Sequence, residues 1–229
     1  MKNIFTIICL SSVFSLQFSA QVENDAGMWS TFTIQKRIHK KISVVIDQEF
    51  RLRENFQRIN LFYTNIGIDY KLNKYLKISP SYRAIQKMRF NSTLSHRHRL
   101  SIDATLKKKF NNVILSERVR YQIEVQDFLT STKGKLPEQF LRFKTDVKYD
   151  LHTKITPFVS CELRYQLRSW RGNDMLYNNE FHRIRNIIGA DYELNNKHSF
   201  TVYYLVQNEF NIANVENIYI FGLAYILSL

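Results

Sequence analysis

The chain has 229 residues, 45% of them hydrophobic and 14% aromatic, with 33 Lys and Arg against 20 Asp and Glu for a formal net charge of +13. Its 2 cysteines, one of them inside the N-terminal apolar run, exclude a fold stapled by internal disulfides, and 6 Gly with 3 Pro are few for the turns of a soluble β-sandwich. Beyond residue 20 no window approaches the roughly 18 consecutive apolar residues that a membrane-spanning helix needs.

The chain opens with the short basic start Met1-Lys2-Asn3, an apolar run from Ile4 to Leu16, and Phe18-Ser19-Ala20 before Gln21. This order predicts a secretory signal peptide over residues 1–20 and a single domain over 21–229. Cys9 lacks the small residues that precede a lipidated cysteine, so a lipoprotein is not expected. Cleavage removes Lys2 and no acid, and it leaves Cys161 as the one cysteine.

From there the chain alternates. Ile42, Val44, Ile46, Phe50 and Leu52 share one face, and Ser43, Asp47, Glu49, Arg51 and Arg53 share the other. Leu100, Ile102, Ala104 and Leu106 oppose Arg97, Arg99, Ser101 and Asp103 in the same way, and Val159, Cys161, Leu163 and Tyr165 oppose Ser160, Glu162 and Arg164. Strands are expected near 26–38, 42–53, 59–72, 75–88, 94–107, 112–127, 138–151, 154–168, 180–194, 197–209 and 215–229, about eleven in all. Soluble strands run about 5 to 6 residues, whereas a tilted strand that crosses a bilayer needs about 9 to 11. Length therefore favours a transmembrane, antiparallel, up-and-down β-barrel of about 10–12 strands. An even number is expected, because bacterial single-chain barrels keep both ends on one side; Asp25-Ala26-Gly27-Met28-Trp29 is then either a separate short strand or an entry through the lumen.

Three similar stretches mark tight turns: Asp69-Tyr70-Lys71-Leu72-Asn73-Lys74, Lys148-Tyr149-Asp150-Leu151-His152-Thr153-Lys154 and Asp191-Tyr192-Glu193-Leu194-Asn195-Asn196-Lys197. Each joins two alternating strands, so the repeated unit is a β-hairpin. Tyr70, Tyr149 and Tyr192 stand where an interfacial aromatic girdle belongs. Tyr219, Phe221, Leu223, Tyr225, Leu227 and Leu229 occupy every second position to the end. That pattern resembles the C-terminal signal by which the barrel-assembly machinery recognises outer-membrane barrels, although an aromatic final residue is the commoner form. With the C-terminus in the periplasm, the tight turns are periplasmic and the longer connections near 54–58, 88–94, 128–138, 169–179 and 209–215 lie outside.

In this orientation Asp69, Asp103, Asp146 and Asp191 point inward near the periplasmic end. Arg51, Arg53, Arg83, Arg97, Arg99, Arg118, Arg120, Arg164, Arg168, Arg183 and Arg185 point inward nearer the outer half and are the candidate lumen-lining residues. Buried charges need partners or water. Either these arginines pair with Glu49, Glu124 and Glu162 as a plug, or anions and water reach them. Gln48, Glu117 and Asn186 fall on the lipid-facing side, where a β-bulge or a subunit contact would account for them.

Ser95-His96-Arg97-His98 and His182 stand at outer strand ends, where a lipid-acting enzyme would keep a dyad. No Gly-flanked nucleophile or orienting acid accompanies them, so no catalytic, metal or cofactor site is assigned. The basic charge is distributed into the lumen rather than along a surface stripe, which argues against nucleic acid; lysines and arginines at the outer rim suit lipopolysaccharide phosphates and the outer-membrane lipid.

Asp25-Ala26-Gly27-Met28-Trp29, Glu49-Phe50-Arg51-Leu52-Arg53, Arg97-His98-Arg99-Leu100 and Glu117-Arg118-Val119-Arg120-Tyr121 together resemble a family of secreted bacterial proteins, domain of unknown function 2490, over nearly the whole mature chain. The resemblance implies an outer-membrane barrel of a Gram-negative bacterium and supplies no activity. A small or gated anion-preferring pore is the first functional expectation. A closed barrel acting through its outer loops, or a rim enzyme acting on lipid, are the alternatives.

Overall fold

Alternation becomes curvature in the computed structural model, which describes residues 23–89, 93–127, 136–171, 174–176, 179–212 and 215–229. The signal peptide expected over 1–20 lies outside the described residues. The strands are β1 (Glu23–His39), β2 (Ile42–Arg53), β3 (Arg58–Lys71), β4 (Leu76–Met88), β5 (Leu94–Phe110), β6 (Val113–Gln126), β7 (Glu138–Tyr149), β8 (Ile155–Arg171), β9 (Asp174–Leu176), β10 (Glu180–Glu193), β11 (His198–Glu209) and β12 (Glu216–Ser228). Each strand from β1 to β8 pairs with the next, β10 pairs with both β8 and β11, and β12 closes on β1. The barrel thus has eleven strands, and β9 only forms a short hairpin with the end of β8.

An even count is not what closes it. β1 and β12 run parallel, with Glu23 beside Glu216 and Gln35 beside Ser228. In a meander of odd number the first and last strands point the same way, so the closing pair must be parallel and the start of β1 and the end of β12 lie at opposite ends of the barrel. Asp25 to Trp29 form neither a separate strand nor a lumenal entry; they belong to β1, and Met28 and Trp29 also pair with β2.

The tight turns explain the sequence repeat. The Asn73 side-chain oxygen accepts the backbone N–H groups of Tyr75 and Leu76, both at 2.8 Å, and Asn195 does the same for Lys197 and His198 at 2.9 and 3.0 Å. An Asn at this point closes the turn by mimicking a backbone carbonyl. The aspartates of the same two repeats accept hydroxyls across the hairpin, Ser79 to Asp69 at 2.6 Å and Thr201 to Asp191 at 2.7 Å. The third repeat differs: Asp150 accepts the His152 N–H at 2.9 Å, and His152 takes φ 56°.

Burial is inverted relative to a water-soluble protein. Leu100 and Ile188 are 58% and 62% exposed on the outer wall, whereas Glu49, Glu124 and Glu162 are buried inside. Tyr70, Tyr149 and Tyr192 are exposed beside the tight turns. Such a wall has no counterpart in a soluble barrel, which hides its apolar face.

One inner sector is apolar. Leu205, Ile218 and Ile220 are buried, and Trp29, Ile187 and Tyr203 pack against them where β10, β11, β12 and β1 meet. Gly222 makes room for this cluster, since a Cβ there would sit 2.0 Å from the Tyr203 ring. Gly222→Val is therefore expected to displace Tyr203 and destabilise the barrel by about 1–3 kcal/mol, the usual cost of overpacking. Urea unfolding in lipid vesicles reads it, and an unchanged midpoint would mean that the ring moves aside freely.

Candidate functional site

The inward polar residues of β2 to β8 and of β10 to β12 meet in a cavity of about 870 Å³. Its lining reaches from Lys87, Glu138 and Glu216 near the long-loop end to Asp191, Thr201 and Ile226 near the tight turns. A second cavity of about 870 Å³ at the long-loop end shares Arg53, Asn60, Lys87, Arg97 and Glu216 with it.

Three glutamates organise the wall. Glu49 receives Arg51 at 2.5 Å, the Tyr63 hydroxyl at 2.7 Å and the Thr31 hydroxyl at 3.0 Å. Glu124 takes Arg97 at 3.0 Å and Arg99 through two nitrogens at 2.6 and 2.8 Å. Glu162 binds Arg142 at 2.5 Å, Arg118 at 2.6 Å and Arg185 at 3.2 Å. Asp103 holds Arg120 in a two-point pair at 2.6 and 2.7 Å. Nearer the loops Arg53 bridges Asp25 at 2.9 Å and Glu216 at 2.7 Å, and Arg183 pairs with Glu209. Lys144 meets Asp146 at 2.6 Å. Each is a charge-assisted contact between side chains that strand alternation aims at the barrel axis.

The pairing is incomplete. The cavity is lined by fourteen Arg and Lys side chains and eight Asp and Glu side chains; with Asp25 and Asp103, which pair with the lining Arg53 and Arg120, an excess of four positive charges remains among the described residues. Among the described residues Arg83 has no carboxylate at salt-bridge distance; its guanidinium lies 3.7 Å from the Tyr63 ring centre, and its Nε donates to Asn65 at 3.3 Å. Arg164 likewise has none among the described residues and lies 3.7 Å from the Phe140 ring centre, with its Nε buried and without a hydrogen bond to any of them. Arg51, although paired, also stacks 3.6 Å over Trp29. Aromatic faces hold these cations in place without neutralising them.

Of the arginines that alternation assigns to the lumen, Arg51, Arg53, Arg83, Arg97, Arg99, Arg118, Arg120, Arg164, Arg183 and Arg185 line the cavity. Arg168 does not; it donates to the Pro137 carbonyl at 2.9 Å, just before the start of β7 at the long-loop end. A register shift between Gln139 and Phe140 lies beside it. Arg142 and Lys87 line the cavity and were not among the candidates, although Arg142 stands on the polar face of its strand. The Leu205, Ile218 and Ile220 cluster was also unforeseen; its signal was the unbroken apolar run Ile218-Tyr219-Ile220-Phe221, which departs from alternation.

The histidine segment has structural partners. The buried Ser95 hydroxyl donates to Asp127 at 2.9 Å, the His96 backbone N–H donates to the same carboxylate at 2.9 Å, and His98 Nδ1 lies 2.6 Å from the Tyr82 hydroxyl on the outer wall.

The sequence profile of the family described as protein of unknown function (DUF2490) matches residues 26–218. The chain belongs to this family. The fold of this DUF2490 member is similar to that of a solved NanC porin, described as "NanC porin structure in rhombohedral crystal form", with a TM-score of 0.51 and 12% identity over 84% of this chain and 89% of that one. No curated protein matches the sequence significantly.

Proposed function

We propose that this DUF2490 chain is an outer-membrane barrel whose lumen forms a small anion-preferring pore. The tight turns and the C-terminus lie on the periplasmic side in this reading, and the long loops face outward. The observation that carries it is the cationic surplus of the cavity, with Arg83 and Arg164 held against rings and unmatched by carboxylates. Positive groups along a polar path lower the energy of anions and raise that of cations. The exposed apolar wall and its tyrosines support insertion in a membrane. Outward Tyr219, Phe221 and Leu223 on β12 are available to the barrel-assembly machinery, and Arg58 and Arg89 at the long-loop end suit lipopolysaccharide phosphates.

Single-channel recording of residues 21–229 in a planar bilayer under a salt gradient tests the pore. Steady current with an anion-selective reversal potential is the expected result. A folded but silent barrel would favour the second reading, a closed barrel acting through its loops, which the apolar cluster filling the β12 side of the lumen supports.

Orientation is tested separately. Because β1 starts beside Glu216 at the long-loop end, Asn24→Cys in a Cys161→Ser background is expected to react with an impermeant maleimide on intact cells. Leu229→Cys is expected to react only after the outer membrane is opened. The opposite pattern would invert the proposed topology.

A further inference from the structure

Four arginines stand in one cross-strand row inside the barrel. Arg120 on β6 lies in register with Arg142 on β7, Arg142 with Arg164 on β8, and Arg164 with Arg183 on β10. All four line the cavity. Like charges directly opposite one another on neighbouring strands repel, so such a row persists only where other groups compensate it. With strands about 4.8 Å apart and a tilt of about 40°, each step along the row also moves about 3 Å along the barrel axis. The row is therefore an inclined ladder rather than a ring.

Acidic side chains compensate three of its members. Arg120 is held by Asp103, Arg183 by Glu209 and Arg142 by Glu162, which is shared with Arg118 and Arg185. Arg164 meets no carboxylate among the described residues. Its guanidinium rests on the Phe140 ring, its Nε is buried without an acceptor, and its terminal nitrogens donate to no described residue. The Nε atoms of its two neighbours in the row, Arg142 and Arg183, are also buried without an acceptor among the described residues. The charges that act most strongly on Arg164 are those of Arg183, Glu124, Arg99 and Arg185, three cations to one acid. Glu124 is itself shared by Arg97 and Arg99. Donors and positive charge thus exceed acceptors and negative charge around this one side chain.

We propose that Arg164 is the centre of an oxyanion-binding site in the lumen, with Arg142 and Arg183 on either side, and that the site takes a phosphate group, free or carried on a small solute. The proposal deepens the anion-pore reading and rests on it for the route by which the solute arrives. A planar guanidinium presents paired N–H donors that match two oxygens of one anion, and a halide offers no such edge. A phosphate group near neutral pH carries more than one negative charge and only strong acceptors toward its surroundings, which is what this part of the wall lacks. Phe140 holds the guanidinium by its face and uses none of its donors, so the fork stays open to the ligand.

Equilibrium dialysis of radiolabelled inorganic phosphate against the full chain in mild detergent tests the site without requiring conduction. Saturable binding is expected, weakened at least tenfold in Arg164→Gln and unchanged in Lys40→Gln, with heat-modifiable migration showing that each barrel is folded. Arg164→Lys, which keeps the charge and loses the fork, is expected to weaken binding at least threefold. Competition by glucose 6-phosphate would support the site as one for a solute-borne phosphate, and its failure to compete would support the free ion. Binding that does not saturate, that is as tight in the Arg164 variants, or that an equal concentration of chloride abolishes overturns the proposal. Chloride current without phosphate binding removes the site and leaves the pore reading standing, whereas phosphate binding to a barrel that passes no current supports the site and removes the pore.

Discussion

Glu162→Gln is expected to lower the unfolding free energy by about 3–5 kcal/mol, the cost of leaving buried charges uncompensated. Glu162 is buried and receives Arg142, Arg118 and Arg185 from three other strands, β7, β6 and β10. Glutamine keeps the volume and one acceptor but removes the charge that permits three guanidinium groups to converge. Those cations then repel across a space too narrow for each to gain a full hydration shell. Urea unfolding in lipid vesicles measures the loss. Adding Arg142→Met to Glu162→Leu is expected to recover part of it, because removing both partners leaves less charge unmatched. A loss under about 1 kcal/mol would mean that water already screens the network.

Arg83→Gln and Arg164→Gln together are expected to carry the reversal potential under a salt gradient toward zero. A unit charge about 4 Å from a passing ion in water contributes about 1 kcal/mol, favourable for an anion and unfavourable for a cation, so each removal is expected to lower the anion-to-cation permeability ratio by up to about thirtyfold. These two arginines are the ones to replace because neither is bound to a carboxylate, so neutralising them strands no acid. Stability is expected to change little, since glutamine can still lie against Tyr63 or Phe140. Lys40→Gln, at the exposed tight turn between β1 and β2, is the control and is expected to leave selectivity as it was. Unchanged selectivity in the double variant would remove Arg83 and Arg164 from the conduction path.

Much of this architecture was legible in one dimension. A period of two assigns every side chain of a strand to the wall or the lumen, and eleven segments long enough to span a bilayer leave the chain few ways other than a barrel to satisfy its backbone. The same rule named Glu49, Glu124 and Glu162 as the acids available to the inward arginines, and each of them receives at least one of those arginines. Asn73 and Asn195 marked two turns in advance because a side-chain amide acts on backbone only two or three residues away.

What alternation does not contain is the relation between strands that are distant in sequence. Eleven segments could be counted, yet closure by a parallel β1–β12 pair depends on how the ends of the sheet meet. Which arginine takes which carboxylate is decided by strand stagger, so Arg118 on β6 reaches past β7 to Glu162 on β8 while Arg83 and Arg164 reach none. The apolar cluster of Leu205, Ile218 and Ile220 escaped because a strand apolar on both faces has no period to read, and only closure turns one of those faces to the lumen. Glu117 and Asn186 were visible as polar residues on the outer face, but that no β-bulge turns them inward needed the register of four neighbouring strands, as did the alignment of four arginines into one row. Local chemistry and period determined the strands, the turns and the two faces of the wall; the tertiary structure alone decided which charges are matched, because matching is a property of distances between strands.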